Sequence, residues 1–157
     1  MPSSKPTPTD AELILRLYDA RREAEMRKAR DWWVVKFWPQ NADQFMEIVA
    51  NLGSQENNWL RQVASYWGIA ASFVLNGALN EDLFMELSFC GEMFLIFAKV
   101  HPFIGEVRER LKTQEFMANV EKLITSSEKG RERLKQFEER VAARHKTMAE
   151  AAVAQAS

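Results

Sequence analysis

Leu83-Phe84-Met85-Glu86-Leu87-Ser88-Phe89-Cys90-Gly91-Glu92-Met93-Phe94-Leu95-Ile96-Phe97-Ala98-Lys99-Val100-His101-Pro102-Phe103-Ile104 is the most apolar stretch of the chain. A membrane span takes roughly 20 nearly uncharged residues. Glu86, Glu92, Lys99 and His101 interrupt this stretch, so it reads as the buried core helix of a soluble domain. Asn80 is a good N-cap, and Glu81 and Asp82 in the first turn suit the positive end of a helix dipole. A helix from Asn80 to about Lys99 is expected at the centre of the fold, with Pro102 near its end or at the start of the next one.

Working back toward the N-terminus, Gly77 closes a helix that Ser54 opens. Trp59, Val63, Tyr66 or Trp67, Ala70 and Phe73 or Val74 recur in it at helical spacing. Gly68, Ala70, Ala71 and Ser72 give it small residues that allow close approach of another helix. A shorter helix begins at Asn41 and carries Phe45, Met46, Ile48, Val49 and Leu52 inward, with Gly53 as its left-handed cap. Before it, one long helix is expected from about Asp10 to Trp38, stopped by Pro39 and opened by a Thr9–Glu12 capping box. Residues 1–8, polar and proline-rich, read as a disordered leader without the apolar core of a signal sequence.

Toward the C-terminus the helical pattern continues from Phe103 to about Ile124, with a kink or new start near Thr113. Ser126, Ser127 and Gly130 mark a joint. A last helix then places Leu134, Phe137, Val141, Arg144 and Met148 along one seam, a short heptad-like pattern suited to an oligomer contact. Its Ala-rich end is expected to fray. No strand-like alternation or internal repeat interrupts this reading. The expected fold is all-α: an irregular bundle of five to six helices with a long C-terminal helix. Residues 9–125 form the helical core and 126–157 the final helix.

The 157 residues suffice for one domain with a real core, and 46% hydrophobic with 27% charged residues is a globular balance. Net charge is −1, but Gln40–Val100 holds seven acids against Arg61 and Lys99, leaving the flanks basic. Acidic middle and basic ends are therefore expected to attract one another. The bases of the first and last helices are interleaved with Asp19, Glu23, Glu25, Asp31, Glu128, Glu132, Glu138 and Glu139, which disfavours nucleic acid as a partner. The single Cys90 forms no intramolecular disulfide and points to a reducing cytoplasm.

Catalytic grammar is missing. His101 and His145 are preceded three residues earlier by alanines, so no Glu-x-x-His metal pair exists, and zinc spacing fails as well. Cys90 lies in an apolar helix without an adjacent base and reads as an inert thiol. The acids Glu81, Asp82, Glu86 and Glu92 read as a dipole-favoured helix start rather than an acid–base pair, with Glu86 or Glu92 a candidate for pairing with Arg61 or Lys99. No catalytic residue, cofactor or metal is called for.

What stands out is aromatic. Trp32, Trp33, Phe37 and Trp38 crowd seven residues, too many large rings for one core by ordinary helical geometry. Trp33, Phe37, Trp38, Trp67 and Phe94 are accordingly candidates for a ligand pocket or an interface, and Leu134, Phe137 and Val141 for an oligomer seam. The leading expectation is a non-enzymatic scaffold or interaction domain that self-associates, with another protein as an alternative partner. A small-molecule sensor with an aromatic pocket comes next, and a nucleic-acid-associated helper third.

The stretch Trp59-Leu60-Arg61 through Tyr66-Trp67-Gly68, followed by Asn76-Gly77-Ala78-Leu79-Asn80-Glu81-Asp82-Leu83-Phe84, resembles uncharacterised bacterial helical proteins classed as domains of unknown function. The resemblance covers mainly residues 55–125. It implies a bacterial all-helical fold, and it carries no activity, cofactor or site residue.

Overall fold

The computed structural model describes residues 4–157, and every one of its regular elements is helical. Thr7 accepts from the Asp10 amide while Asp10 accepts from Thr7, a capping box that opens α1 (Pro8–Arg21). The box thus sits two residues before the expected Thr9–Glu12. After Arg22 the chain restarts as α2 (Ala24–Asp31), capped by the Glu23 carboxylate, and tightens into a π-helical turn at Trp32–Lys36. Asn41 caps α3 (Ala42–Ala50) and Ser54 caps α4 (Gln55–Leu75), both where expected. Asn80 caps a single turn, α5 (Glu81–Phe84), and α6 (Leu87–Val100) follows. A short 3-10 turn at His101–Phe103 leads into α7 (Ile104–Leu111). Then come α8 (Ala118–Thr125) and α9 (Glu128–Ala156).

The fold is therefore all-α, but more segmented than five or six helices. Each extra break has a local cause. The long first helix ends at Arg21, whose side chain turns into the core and donates from Nη1 to the Phe89 carbonyl at 3.1 Å. The central helix is interrupted at Met85–Glu86. The segment after Phe103 is split by left-handed residues at Lys112 (φ 56°) and Met117 (φ 54°). Leu52, expected inside, is 78% exposed in the turn beyond α3. The Ala-rich end does not fray but stays helical to Ala156. Of the leader, residues 1–3 lie outside the described residues, and the Ser4 carbonyl accepts from Asn80 Nδ2 at 2.6 Å.

α6 is the core element. Met93, Phe94, Ile96, Phe97, Ala98 and Val100 have no exposed surface. It packs along α9, while α4 packs against α2, α3 and α8. The run Leu87–Leu111 is by length and composition apolar enough to cross a membrane, and most of its apolar window is buried inside the fold. Basic flanks do meet the acidic middle: Arg30 Nε binds Glu92 Oε2 at 2.8 Å and Arg110 Nη1 binds Asp43 Oδ1 at 2.7 Å. At the α8–α9 joint, Gly130 lies so close to Ile124 that a Cβ would stand 2.0 Å from its carbonyl oxygen. Only glycine permits that approach.

Candidate functional site

The aromatic segment owes its arrangement to the π-turn. The Phe37 amide donates to the Trp32 carbonyl at 2.8 Å, five residues back. That wider turn brings Trp32 over Phe37, with centroids 4.4 Å apart and planes within 12°. Trp32, Trp33 and Phe37 are thereby all buried in one chain. Ordinary helical spacing would have forced one of these rings outward, so the crowding that suggested an interface is resolved internally.

The end of the π-turn leaves carbonyls without intrahelical partners. Lys99, 1% exposed, reaches them from α6. Its Nζ donates to the carbonyls of Trp33, of Phe37 at 2.9 Å and of Val34 at 3.3 Å, and lies 3.6 Å from the centre of the Trp38 ring. Burial pushes the Lys99 ammonium down to about 7, and Arg144 adds to the effect. An amine near neutrality is a familiar nucleophile, but this one is enclosed and its N–H groups are spent on carbonyls. Its chemistry here is that of a clamp joining α6 to the π-turn.

The clamp sets where α9 leaves the body. Trp38 meets His145 edge-on at 6.0 Å, and His101 Nδ1 binds Glu138 Oε1. His145 is held low by burial and by Lys99, against the Trp38 carbonyl, and its Nε2 is buried without a hydrogen-bond partner. A cleft of about 150 Å³ lies among these groups, lined by Lys99, Pro102, Glu138 and His145.

The five candidate aromatics do not wall one pocket. Trp33 and Phe37 belong to the π-turn cluster, and Trp38 lids Lys99. Trp67 packs on Phe84 and Phe89 and donates from Nε1 to Glu92 Oε1 at 3.1 Å. Phe94 stacks on Phe137 at 5.7 Å. The seam Leu134, Phe137 and Val141 likewise faces its own chain, with Leu134 and Val141 each 5% exposed. Next along that face comes His145, half-buried, rather than the exposed Arg144. The seam is thus a packing face inside the subunit.

The remaining candidates settle in the same way. Glu92 pairs with Arg30 and not with Arg61 or Lys99, and Glu86 is exposed at the α6 N-cap. Burial pushes the Cys90 thiol up to about 11, which keeps it protonated. Among the described residues no group of three or more His, Cys, Asp or Glu could hold a metal ion. Several bases of the outer helices turn inward: Arg21 lies over the rings of Tyr18, Trp67 and Phe89, and Arg133 donates to the Met85 carbonyl.

What the sequence reading missed is where α9 goes next. The inward face of Leu134, Val141 and His145 continues at steps of three and four into Met148, Ala149, Ala152, Val153 and Ala156. Every residue from Lys146 to Ser157 is exposed, Val153 by 71%. The signal was the same heptad-like spacing, followed to Met148 through Arg144 where the face passes through His145, and then discounted because the tail is rich in alanine. A second apolar feature is a groove of about 530 Å³ between α4 and the 115–119 turn, floored by Ala64, Gly68, Ile69 and Phe116.

These features define an all-α domain with a fully packed aromatic core and a helix that outruns it. The chain belongs to the family described as domain of unknown function DUF4760, which matches residues 6–127. The match stops at Ser127, the N-cap of α9. Comparison with curated proteins and with solved structures returns no match.

Proposed function

We propose that the protein is a non-enzymatic interaction domain that self-associates, and that the outer half of α9 is its contact element. One observation carries the reading: the packing face of α9 continues as an apolar stripe for about three turns with nothing against it. Residues 146–156 form a helix about 16 Å long. It continues the 29-residue α9, but every residue in it is exposed, so a partner face is what would bury its apolar stripe. The enclosed lysine and the protonated thiol agree with a non-catalytic role. A reducing bacterial cytoplasm is proposed as its setting, supported by the single buried Cys90 and by the resemblance to bacterial helical proteins.

Sedimentation of the full chain beside a chain ending at His145 tests it. The full chain is expected to self-associate and the shortened one to remain monomeric with its helical core intact. Equal masses for the two would overturn the proposal. A second reading, the small-molecule sensor, draws on the cleft beside His145, whose buried Nε2 lacks a partner. A thermal shift with a small hydrogen-bond donor such as imidazole, lost in His145→Phe, would favour it.

A further inference from the structure

The two unpartnered apolar features match each other. The groove floor on α4 is small, with Ala64 and Gly68 leaving room for close approach, and Phe116 forms a wall beside the half-exposed Ile69. The stripe on α9 is small as well, with Ala149, Ala152 and Ala156 between Met148 and Val153. Small side chains on both faces let two helices approach closely over their length. Arg61 and Glu115 line the groove; Arg61 donates to the Asn57 and Asn58 side-chain oxygens, and neither residue makes an ion pair among the described residues. Lys146 and Glu150 flank the stripe, equally without ion pairs among the described residues. One cation and one anion on each side complement one another.

Resting on the reading that the end of α9 is a contact element, we infer that it seats in the α4 groove of a second copy of this chain. The groove lining contains no residue of α9, so the chain does not fill its own groove. One three-turn stripe on one groove buries less than the roughly 1,200–2,000 Å² of a stable interface. The contact is therefore made twice, each copy lending its tail to the other's groove. Reciprocal exchange closes a two-fold dimer, whereas a one-way contact would propagate into filaments.

Two variants separate this arrangement from tail-to-tail pairing. Gly68→Arg fills the groove, and a Cβ at Gly68 meets nothing within 4 Å, so the helix accommodates it. Ile69→Lys is the second blocking variant, at a position already 54% exposed. The shortened chain ending at His145 keeps its groove and loses its tail. Each variant alone is expected to be monomeric where the full chain is a dimer, with unchanged circular dichroism. Mixed, a groove-blocked chain and a shortened chain still hold one tail and one groove, half of the full contact, and are expected to associate one-to-one only at far higher concentration than the full chain dimerises. If both blocked variants dimerise like the full chain, the tail meets another surface; this inference falls while the contact role of α9 stands. If the shortened chain dimerises, or the full chain is monomeric at every concentration, both fall together.

Discussion

Replacing Lys99 by methionine keeps an unbranched side chain, one atom shorter, and removes its donors. At pH 9.5 the neutral amine still offers two N–H groups to the carbonyls of Trp33, Val34 and Phe37. Stranding buried acceptors costs about 1–3 kcal/mol each, so Lys99→Met is expected to lose about 4 kcal/mol there. The pH dependence follows from burial, which holds the folded pKa at about 7 against 10.5 for an ordinary lysine. Between those values the unfolded chain binds the proton and the folded chain does not, so wild-type stability rises with pH across that window. Going down in pH removes at most about 1.4 kcal/mol per unit from the wild type and nothing from the variant. At pH 7.5 the penalty therefore shrinks to about 1 kcal/mol. Arg144 and His145 face the same ammonium and are present in both proteins. Urea unfolding followed by tryptophan fluorescence at pH 7.5, 8.5 and 9.5 measures the difference. Parallel stability curves for the two proteins would refute the argument that burial governs this lysine.

Three further outcomes follow from the packing. Gly130→Ala, which in an ordinary helix would gain about 1 kcal/mol, is expected to cost about 2–3 kcal/mol because its Cβ would meet the Ile124 carbonyl at 2.0 Å; thermal unfolding gives the sign. Cys90 is expected to resist an aromatic disulfide reagent at pH 8 in the folded protein and to react fully in denaturant, since burial holds its pKa at about 11. Glu92→Leu leaves Arg30 and the Trp67 indole N–H without their shared acceptor and is expected to cost about 3 kcal/mol in chemical denaturation.

The caps were the most legible part of the fold. Asn41, Ser54, Asn80 and Ser127 each accept from a backbone amide three residues on; the first three were readable as short polar side chains just ahead of a helical pattern, and Ser127 as part of a joint. The buried centre at α6 was readable from its composition alone. The internal breaks were harder to see. Glu23 caps α2 although glutamate is a common helix-interior residue, and Lys112 and Met117 take left-handed conformations that their side chains do not advertise. The π-turn was invisible to a search at helical period, which is why the four crowded rings seemed too many for one core. Lys99 was readable only as a charge that interrupts an apolar run; its partners lie more than sixty residues away in sequence. The seam on α9 was legible as a pattern, but a seam does not state whether it is used within one chain or between two. Here the first half is used within, and only the continuation is left over.

Amide hydrogen exchange across residues 146–156 at two protein concentrations tests the central claim most directly. The account expects slow exchange in that segment when the protein is concentrated and fast exchange on dilution, while Leu134 and Val141 stay protected throughout. Exchange in 146–156 that is rapid and indifferent to concentration would contradict the claim that this half of α9 is a contact element.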